Sequence, residues 1–406
     1  MTSSPDAAPL RVVFFSHDSQ GLGHFRRNRA LAHAMARRIP ELTGRSVTGL
    51  LVNGVAEANP ASFPDGFDVV TLPAISKTGR QYGARRLDVD MDAVTRLRAE
   101  IWDATLRGFR PDLVVVDRHA FGVKGELEEG LRQLRRHLPG CRLVLGLREV
   151  LDDPVRVTRE WEAIPTRLVA ELYDEIWVYG DAAIHDLRTS GEVPAELHHM
   201  VRYVGYLCHG RTEDPVGLEM DSPYLVTTAG GGSDGMKLCV AAARAVVPAG
   251  HHHLVVTGPQ MSDEDHNWVV QQAAPGTRVV RQVGDAAGLI RGSAASVSMA
   301  GYNTVTETLA TDVPCLLVPR EWPRQEQLIR ARGLEAVGAV DLLGEKELTS
   351  EAISAWWQQA VTRRVDRTRL RLAGLERVVL RAGGLETRAP LPARPAADQE
   401  GEGRVA

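Results

Sequence analysis

SMAGYNTVTETLATDVPCLLVPREWPRQEQLIRA, Ser298 to Ala331, reads as a strand end, a tight turn, a helix, a second strand, a polar loop and a further helix. Before it, the short apolar run Ala294 to Met299 follows Gly and Ser, as a buried parallel strand would. Gly301 suits a sharp turn that a side chain would obstruct. Asn303 or Thr304 can cap the helix, with Glu307 as capping-box partner. Free N–H groups at such a helix start attract anions, and ligands of parallel sheets gather at strand carboxyl ends. Glu307, one turn in, can offer its carboxylate to two vicinal hydroxyls such as those of a ribose; the plainer alternative is that it only completes the cap. Pro314 to Pro319 reads as a second buried strand, and the loop after it concentrates Arg320, Glu321, Arg324, Gln325, Glu326 and Gln327.

Working outward, strands and helices alternate on both sides. The first half offers strands at Leu10–Phe15, Val47–Val52, Asp68–Leu72, Leu113–Val116, Arg142–Leu147 and Glu175–Tyr179, with helices at about His24–Arg38, Asp92–Gly108, Gly125–His137 and Ile164–Leu172. The second offers strands at Tyr224–Thr228, His253–Thr257, Arg278–Val280, Ala295–Met299 and Cys315–Val318, with helices at Met236–Val247 and Asp263–Ala273. Two amphipathic helices, Glu351–Arg363 and Arg367–Arg381, close it. Such alternation predicts βαβ units and parallel sheets. The expected organisation is a disordered start (1–9), a first α/β domain (10–210), a polar linker (211–222), a second α/β domain (223–383) whose final helix can pack back on the first, and a Pro/Ala/Glu-rich disordered tail (384–406). Two doubly wound halves would face each other across an interdomain cleft.

Bulk properties exclude several classes. A chain of 406 residues with 25% charged residues and net charge −4 is an ordinary globular protein, not a dedicated nucleic-acid binder. Cys141, Cys208, Cys239 and Cys315 are widely spaced, with no disulfide framework and no zinc pattern, which fits a reducing cytoplasm. No signal peptide and no membrane-spanning run is visible. His251-His252-His253 is sequential rather than spaced for one metal face and reads as a solvated strand start; no metal site is expected.

Each half has a Gly-rich turn after its first strand. In QGLGH, Gly21 and Gly23 are followed by Arg26 where a dinucleotide fingerprint needs its third glycine, so a nicotinamide enzyme is disfavoured. The loop can instead admit a substrate, with His24 at the helix start as a general base or as a plain polar cap. The second turn, Gly230-Gly231-Gly232-Ser233-Asp234-Gly235, also fits G-x-S-x-G, but its glycines favour a loop that wraps phosphate with backbone N–H groups. Asp117, Arg118 and His119 at a strand end are candidates for acceptor binding or for orienting a base, or form only a surface turn.

With these motifs in hand, the second half resembles the C-terminal module of glycosyltransferase family 28, on AGYNTVTETLATDVPCLLVPREWPRQEQLIRA and TTAGGGSDG. SHDSQGLGHFRRNRALAHAM resembles the Gly-Gly-His loop of the same enzymes, and the GxGHxxR stretch of nucleotide-sugar hydrolases from nonulosonic acid pathways. The resemblance implies a GT-B fold and a metal-independent, hexosyl-transferring enzyme. It would move sugar from a nucleoside diphosphate donor, UDP-linked, to an acceptor hydroxyl with inversion. That acceptor is a lipid-linked molecule or a small metabolite, and the nucleotide-sugar is a substrate rather than a cofactor. It implies donor contacts from Gly230, Gly231, Gly232, Ser233, Gly301, Asn303, Thr304, Glu307, Arg324, Gln325 and Gln327. His24 is implied as base with Asp117 as its rival or partner, and Gly21, Gly23, Arg118 and His119 on the acceptor side. Met299 stands where the peptidoglycan-precursor transferase has Arg, and Glu326 splits its glutamine pair. A hydrolase using water, and a non-catalytic nucleotide-sugar-binding protein, remain the alternatives.

Overall fold

The computed structural model describes residues 8–17, 23–54, 63–78, 81–209 and 223–385. The expected linker 211–222, Gly21, and nearly all of both terminal stretches lie outside the described residues. The first half runs β1 (Leu10–Phe15), α1 (Gly23–Thr43), β2 (Val47–Asn53), β3 (Phe67–Thr71), β4 (Ile75–Thr78), β5 (Gln81–Ala84), α2 (Met91–Phe109), β6 (Leu113–Asp117), α3 (Glu128–His137), β7 (Arg142–Arg148), α4 (Pro154–Glu162), α5 (Thr166–Leu172), β8 (Glu175–Tyr179) and β9 (Val201–Tyr203). The second runs β10 (Tyr224–Thr228), α6 (Met236–Arg244), β11 (His252–Val256), α7 (Asp263–Gln271), β12 (Thr277–Val280), α8 (Ala286–Gly292), β13 (Ala295–Ser298), α9 (Tyr302–Leu309), β14 (Cys315–Leu317), α10 (Glu326–Glu335), β15 (Asp341–Leu342), α11 (Ser350–Ala360) and α12 (Gly374–Ala382).

Two parallel sheets result, ordered β3-β2-β1-β6-β7-β8-β9 and β12-β11-β10-β13-β14-β15. Their central strands are buried along their length, as in LVVVD of β6 and YLVTT of β10, because helices cover both faces. The strand order reverses between β1 and β6 in one sheet and between β10 and β13 in the other. Chain leaves such a switch point in opposite directions and opens a crevice at the carboxyl ends. The segments after these four strands are therefore where a ligand is expected, and they carry His17 and His24, Asp117 to His119, Ala229 to Gly235, and Met299 to Gly301.

The halves are not independent units. One apolar cluster joins Phe14, Tyr179 and Tyr206 of the first to Ala300, Tyr302, Val305 and Leu334 of the second. Helix α12 lies on α1, and Arg381 donates to Glu175 Oε1 at 2.7 Å while Arg142 donates to the Arg381 carbonyl at 2.6 Å.

Three local expectations are corrected. The segment Arg367–Arg381 is helical only from Gly374: Arg367 is buried and donates to the carbonyls of Thr311, Val313 and Ala339, which holds its backbone in an irregular course. Helix α4 was not anticipated, although Asp153 caps it and Pro154 opens it. His253 is not at a solvated strand start but fully buried, between the hydroxyls of Thr227 (2.9 Å) and Thr277 (3.1 Å) and against Trp357.

Burial lowers the His253 pKa to about 3. An unfolded histidine binds a proton near pH 6.5, the native one does not, so stability contributed by the neutral ring is full above 6.5 and lost as pH falls toward 3. Replacing His253 by Phe should flatten the acid limb of stability by about 1.4 kcal/mol per pH unit between pH 6 and 4. Urea melts at those two pH values measure it; equal slopes for both proteins would show that His253 is protonated in the native state.

Candidate functional site

The wall contributed by the first half is built on one buried ion pair. Arg27, on the second turn of α1, donates to both oxygens of Asp117 at 2.9 and 2.6 Å, with Asp117 wholly buried at the end of β6. Asp117 is thus not the exposed strand-end carboxylate of a surface turn. Burial alone would raise its pKa; the charges of Arg27 and His24 outweigh that and bring it down to about 2. It is a fixed negative charge and a poor proton acceptor.

His24 sits one helical turn before Arg27, with Nδ1 at 3.2 Å from Asp117 Oδ2 and 3.0 Å from Arg27 Nη2. Nδ1 cannot donate to one and accept from the other. With Nδ1–H turned to the ionised carboxylate, the stronger acceptor, Nε2 keeps its lone pair; with Nδ1 accepting from Arg27, Nε2 carries the proton. Burial lowers the His24 pKa and outweighs the opposing pull of Asp117, so the ring is neutral at pH 7. In the first of these tautomers, the neutral imidazole oriented by a buried carboxylate has the arrangement of a general base.

His24 lines a cleft of about 670 Å³ together with His17, His119, Arg118, Arg148, Phe121 and Trp161 of the first half. Arg320, Arg324 and Glu326 close it from the second. The rings of His17 and His119 are 4.3 Å apart, and His17 meets His24 edge-on at 5.7 Å. Burial first, then neighbouring cations, hold His17 at about 3 and His119 well below the usual range. Arg118 has φ +73°, a left-handed backbone that a non-glycine residue adopts at a cost, and its side chain reaches Glu160 at 2.5 Å.

The loop after β10 and the start of α9 lie beside His24 but outside the lining of this cleft. Gly232 has φ +95°, and a Cβ there would lie 2.4 Å from the Thr257 carbonyl, so only glycine lets these loops touch. Gly231 accepts from Gln260 N, Ser233 is exposed, and Gly230 lies beside Thr304. The turn into α9 differs from expectation in two ways. Gly301 has φ −67° and open space around its Cβ position, so its turn would admit any residue; the missing side chain leaves the helix start uncovered. Neither Asn303 nor Thr304 is the cap of α9: Gly301 is, and Asn303 points across to donate to the Gly23 carbonyl at 3.3 Å. That bond sets the first turns of α1 and α9, and hence His24 and the open amides of α9, side by side. Glu307 is half-buried on the second turn of α9.

Of Arg324, Gln325 and Gln327 in the polar loop, the cleft lining includes Arg324. Gln325 caps α10 and reaches Asp152 through its backbone, Arg324 approaches Asp152 at 3.8 Å, and Gln327 is buried with Oε1 accepting from Arg320 N. Neither glutamine lines the cleft; Glu326 does. One Glu326 oxygen accepts from Arg320 at 2.6 Å, and the other is buried without a partner. Arg148 and Arg330 were also missed. Arg330 is fully buried, paired with Glu149 of the first half at 2.6 and 3.2 Å, and donates to the Ala300 carbonyl before α9.

Two parallel α/β sheets with switch points opposed across a cleft define a GT-B fold. Residues 226–366 match the glycosyltransferase family 28 C-terminal domain. Two curated relatives share the name UDP-N-acetylglucosamine–N-acetylmuramyl-(pentapeptide) pyrophosphoryl-undecaprenol N-acetylglucosamine transferase. That of Paenarthrobacter aurescens is 29% identical over 161 residues, 38% of this chain and 41% of the relative. That of Levilactobacillus brevis is 27% identical over 268 residues, 63% of this chain and 67% of the relative. The first match thus spans less than half of its relative's length. The solved structure of spinosyn forosaminyltransferase SpnP has a TM-score of 0.57 at 17% identity, covering 93% of this chain and 96% of that one.

Removing the Asp117 charge isolates Arg27 in the interior. Asp117→Asn should cost about 3–5 kcal/mol of unfolding free energy, the range for breaking a buried pair. Chemical denaturation tests it; a cost below about 1 kcal/mol, an exposed-pair value, would mean that Arg27 finds another partner.

Proposed function

We propose that this protein transfers a sugar from a nucleoside diphosphate donor, UDP-linked, to an acceptor hydroxyl, with inversion, in the cytoplasm. The observation that carries the reading is the His24–Asp117 pair set beside the open start of α9 by the Asn303 bond to Gly23. In this reading the donor diphosphate lies on the α9 amides and the Gly230–Gly232 loop, and Glu307 holds the ribose hydroxyls. Glu326, with its unpartnered oxygen, accepts from a sugar hydroxyl. The acceptor oxygen forms its bond to the anomeric carbon as its proton passes to His24 Nε2. The bond from that carbon to the diphosphate oxygen breaks, and the leaving charge is met by backbone N–H groups and the α9 dipole rather than by a cation. Asp117 stays ionised and stabilises the imidazolium.

This reading is tested by UDP release from UDP-N-acetylglucosamine and related UDP-sugars. His24→Ala should lower kcat by about 10²–10⁴-fold with donor affinity nearly unchanged. Wild-type turnover should survive excess chelator and stay flat with rising pH above 6.5, falling only on the acid side as His24 is protonated. A His24→Ala enzyme of near-normal kcat would move the base elsewhere, and strict dependence on added magnesium would contradict the leaving-group site.

A further inference from the structure

The cleft has walls of two chemical kinds. Phe121 from the turn after β6, Trp161 from the end of α4, and Ile164 and Pro165 from the α4–α5 turn form an apolar, partly aromatic wall. Four arginines also face the space, and three have carboxylate partners. Arg118 is met by Glu160 at 2.5 Å, Arg320 by Asp234 at 2.5 Å and Glu326 at 2.6 Å, and Arg324 by Asp152 at 3.8 Å. Arg148, at the end of β7, makes no ion pair among the described residues, and its Nε is buried without a hydrogen-bond partner.

Its neighbours make this unusual. Burial first, then the adjacent charges of Arg330 and Arg27, lower its pKa to about 10 against the opposing pull of Glu326, which leaves it cationic at neutral pH. A half-buried guanidinium whose Nε is buried and unsatisfied, with no carboxylate in ion-pair contact among the described residues, favours a ligand that supplies an anion. The donor diphosphate does not account for it in the function proposed above, on which this inference rests. Neither the Gly230–Gly232 loop nor the first turn of α9 lines this cleft, whereas His24 does. The anion therefore belongs to whatever approaches the base.

We propose that the acceptor is an amphiphilic small molecule. Its apolar body lies along Phe121, Trp161 and Ile164, and its anionic group, a carboxylate, sulfonate or phosphate, pairs with Arg148. The cleft volume is that of an ordinary small-ligand pocket. Arg148 thereby sets specificity by charge, and the aromatic wall sets it by shape.

Two fluorescent probes of nearly equal apolar size separate these contributions: anionic 8-anilinonaphthalene-1-sulfonate and uncharged N-phenyl-1-naphthylamine. Each is titrated into the full-length protein held in saturating UDP. The wild type should bind the anionic dye at one site, about tenfold or more tighter than the neutral one. Arg148→Gln should remove that preference and leave neutral-dye binding and UDP affinity unchanged, and Arg148→Lys should restore part of it. Equal affinity for both dyes in the wild type, or an anionic preference that survives Arg148→Gln, would overturn the proposal. So would an Arg148→Gln protein that loses UDP affinity instead, because Arg148 would then serve the donor phosphates. Failure of the wild type to bind UDP at all would count against the transferase reading, while the dye comparison would still decide the cleft.

Discussion

Arg27 and Asp117 are buried against each other where α1 crosses the carboxyl end of β6, and much of the remaining geometry follows from them. Neither charge could be held there alone, since an isolated ion in the interior costs several kcal/mol. Together they tie α1 to the switch point of the first sheet and fix the oxygen that faces His24 Nδ1. The Arg27 guanidinium also lies over two rings, 5.8 Å from Tyr179 and 5.5 Å from Tyr302 of the second half. The group that orients the candidate base is therefore packed against the helix that begins the candidate donor site.

A second buried pair repeats the device. Glu149 follows β7 of the first half, and Arg330 lies on α10 of the second, with its guanidinium 5.7 Å from the centre of the Tyr302 ring. Arg330 also holds the Ala300 carbonyl, one residue before the cap of α9. Two charge pairs, one aromatic ring and the Asn303 bond thus lock the start of α9 to the first half. In a two-domain transferase such contacts set how far base and leaving group stand apart, which is the quantity that catalysis by positioning depends on.

The fold was legible because parallel strands buried on both faces write themselves as short apolar runs between turn signals, as Leu113–Val116 and Tyr224–Thr228 do. His24 was legible because two glycines and a helix start frame it. Arg27 closes the GxGHxxR stretch, but beside Arg26 and Arg29 nothing local shows that it is buried, and its partner is 90 positions away. Arg148, Glu149 and Arg330 were hidden for the same reason, because local pattern records which face of a helix is apolar and not which charge has a distant counter-charge. Glu326 did leave a trace as the acidic residue that splits two glutamines, but the backbone turn at Gln325, not residue type, decides which of the three faces the cleft. Asn303 was recognised as polar and near the helix start, and its local use as a cap lost to a bond across the halves.

The central claim is that the start of α9 holds a nucleoside diphosphate beside His24, with Glu307 on the ribose. Calorimetric titration of UDP into the wild type and Glu307→Ala addresses it most directly. Charge-assisted bonds to two hydroxyls predict a loss of roughly 1.5–3 kcal/mol of UDP affinity. A well-folded Glu307→Ala protein that binds UDP as tightly as the wild type would contradict the account.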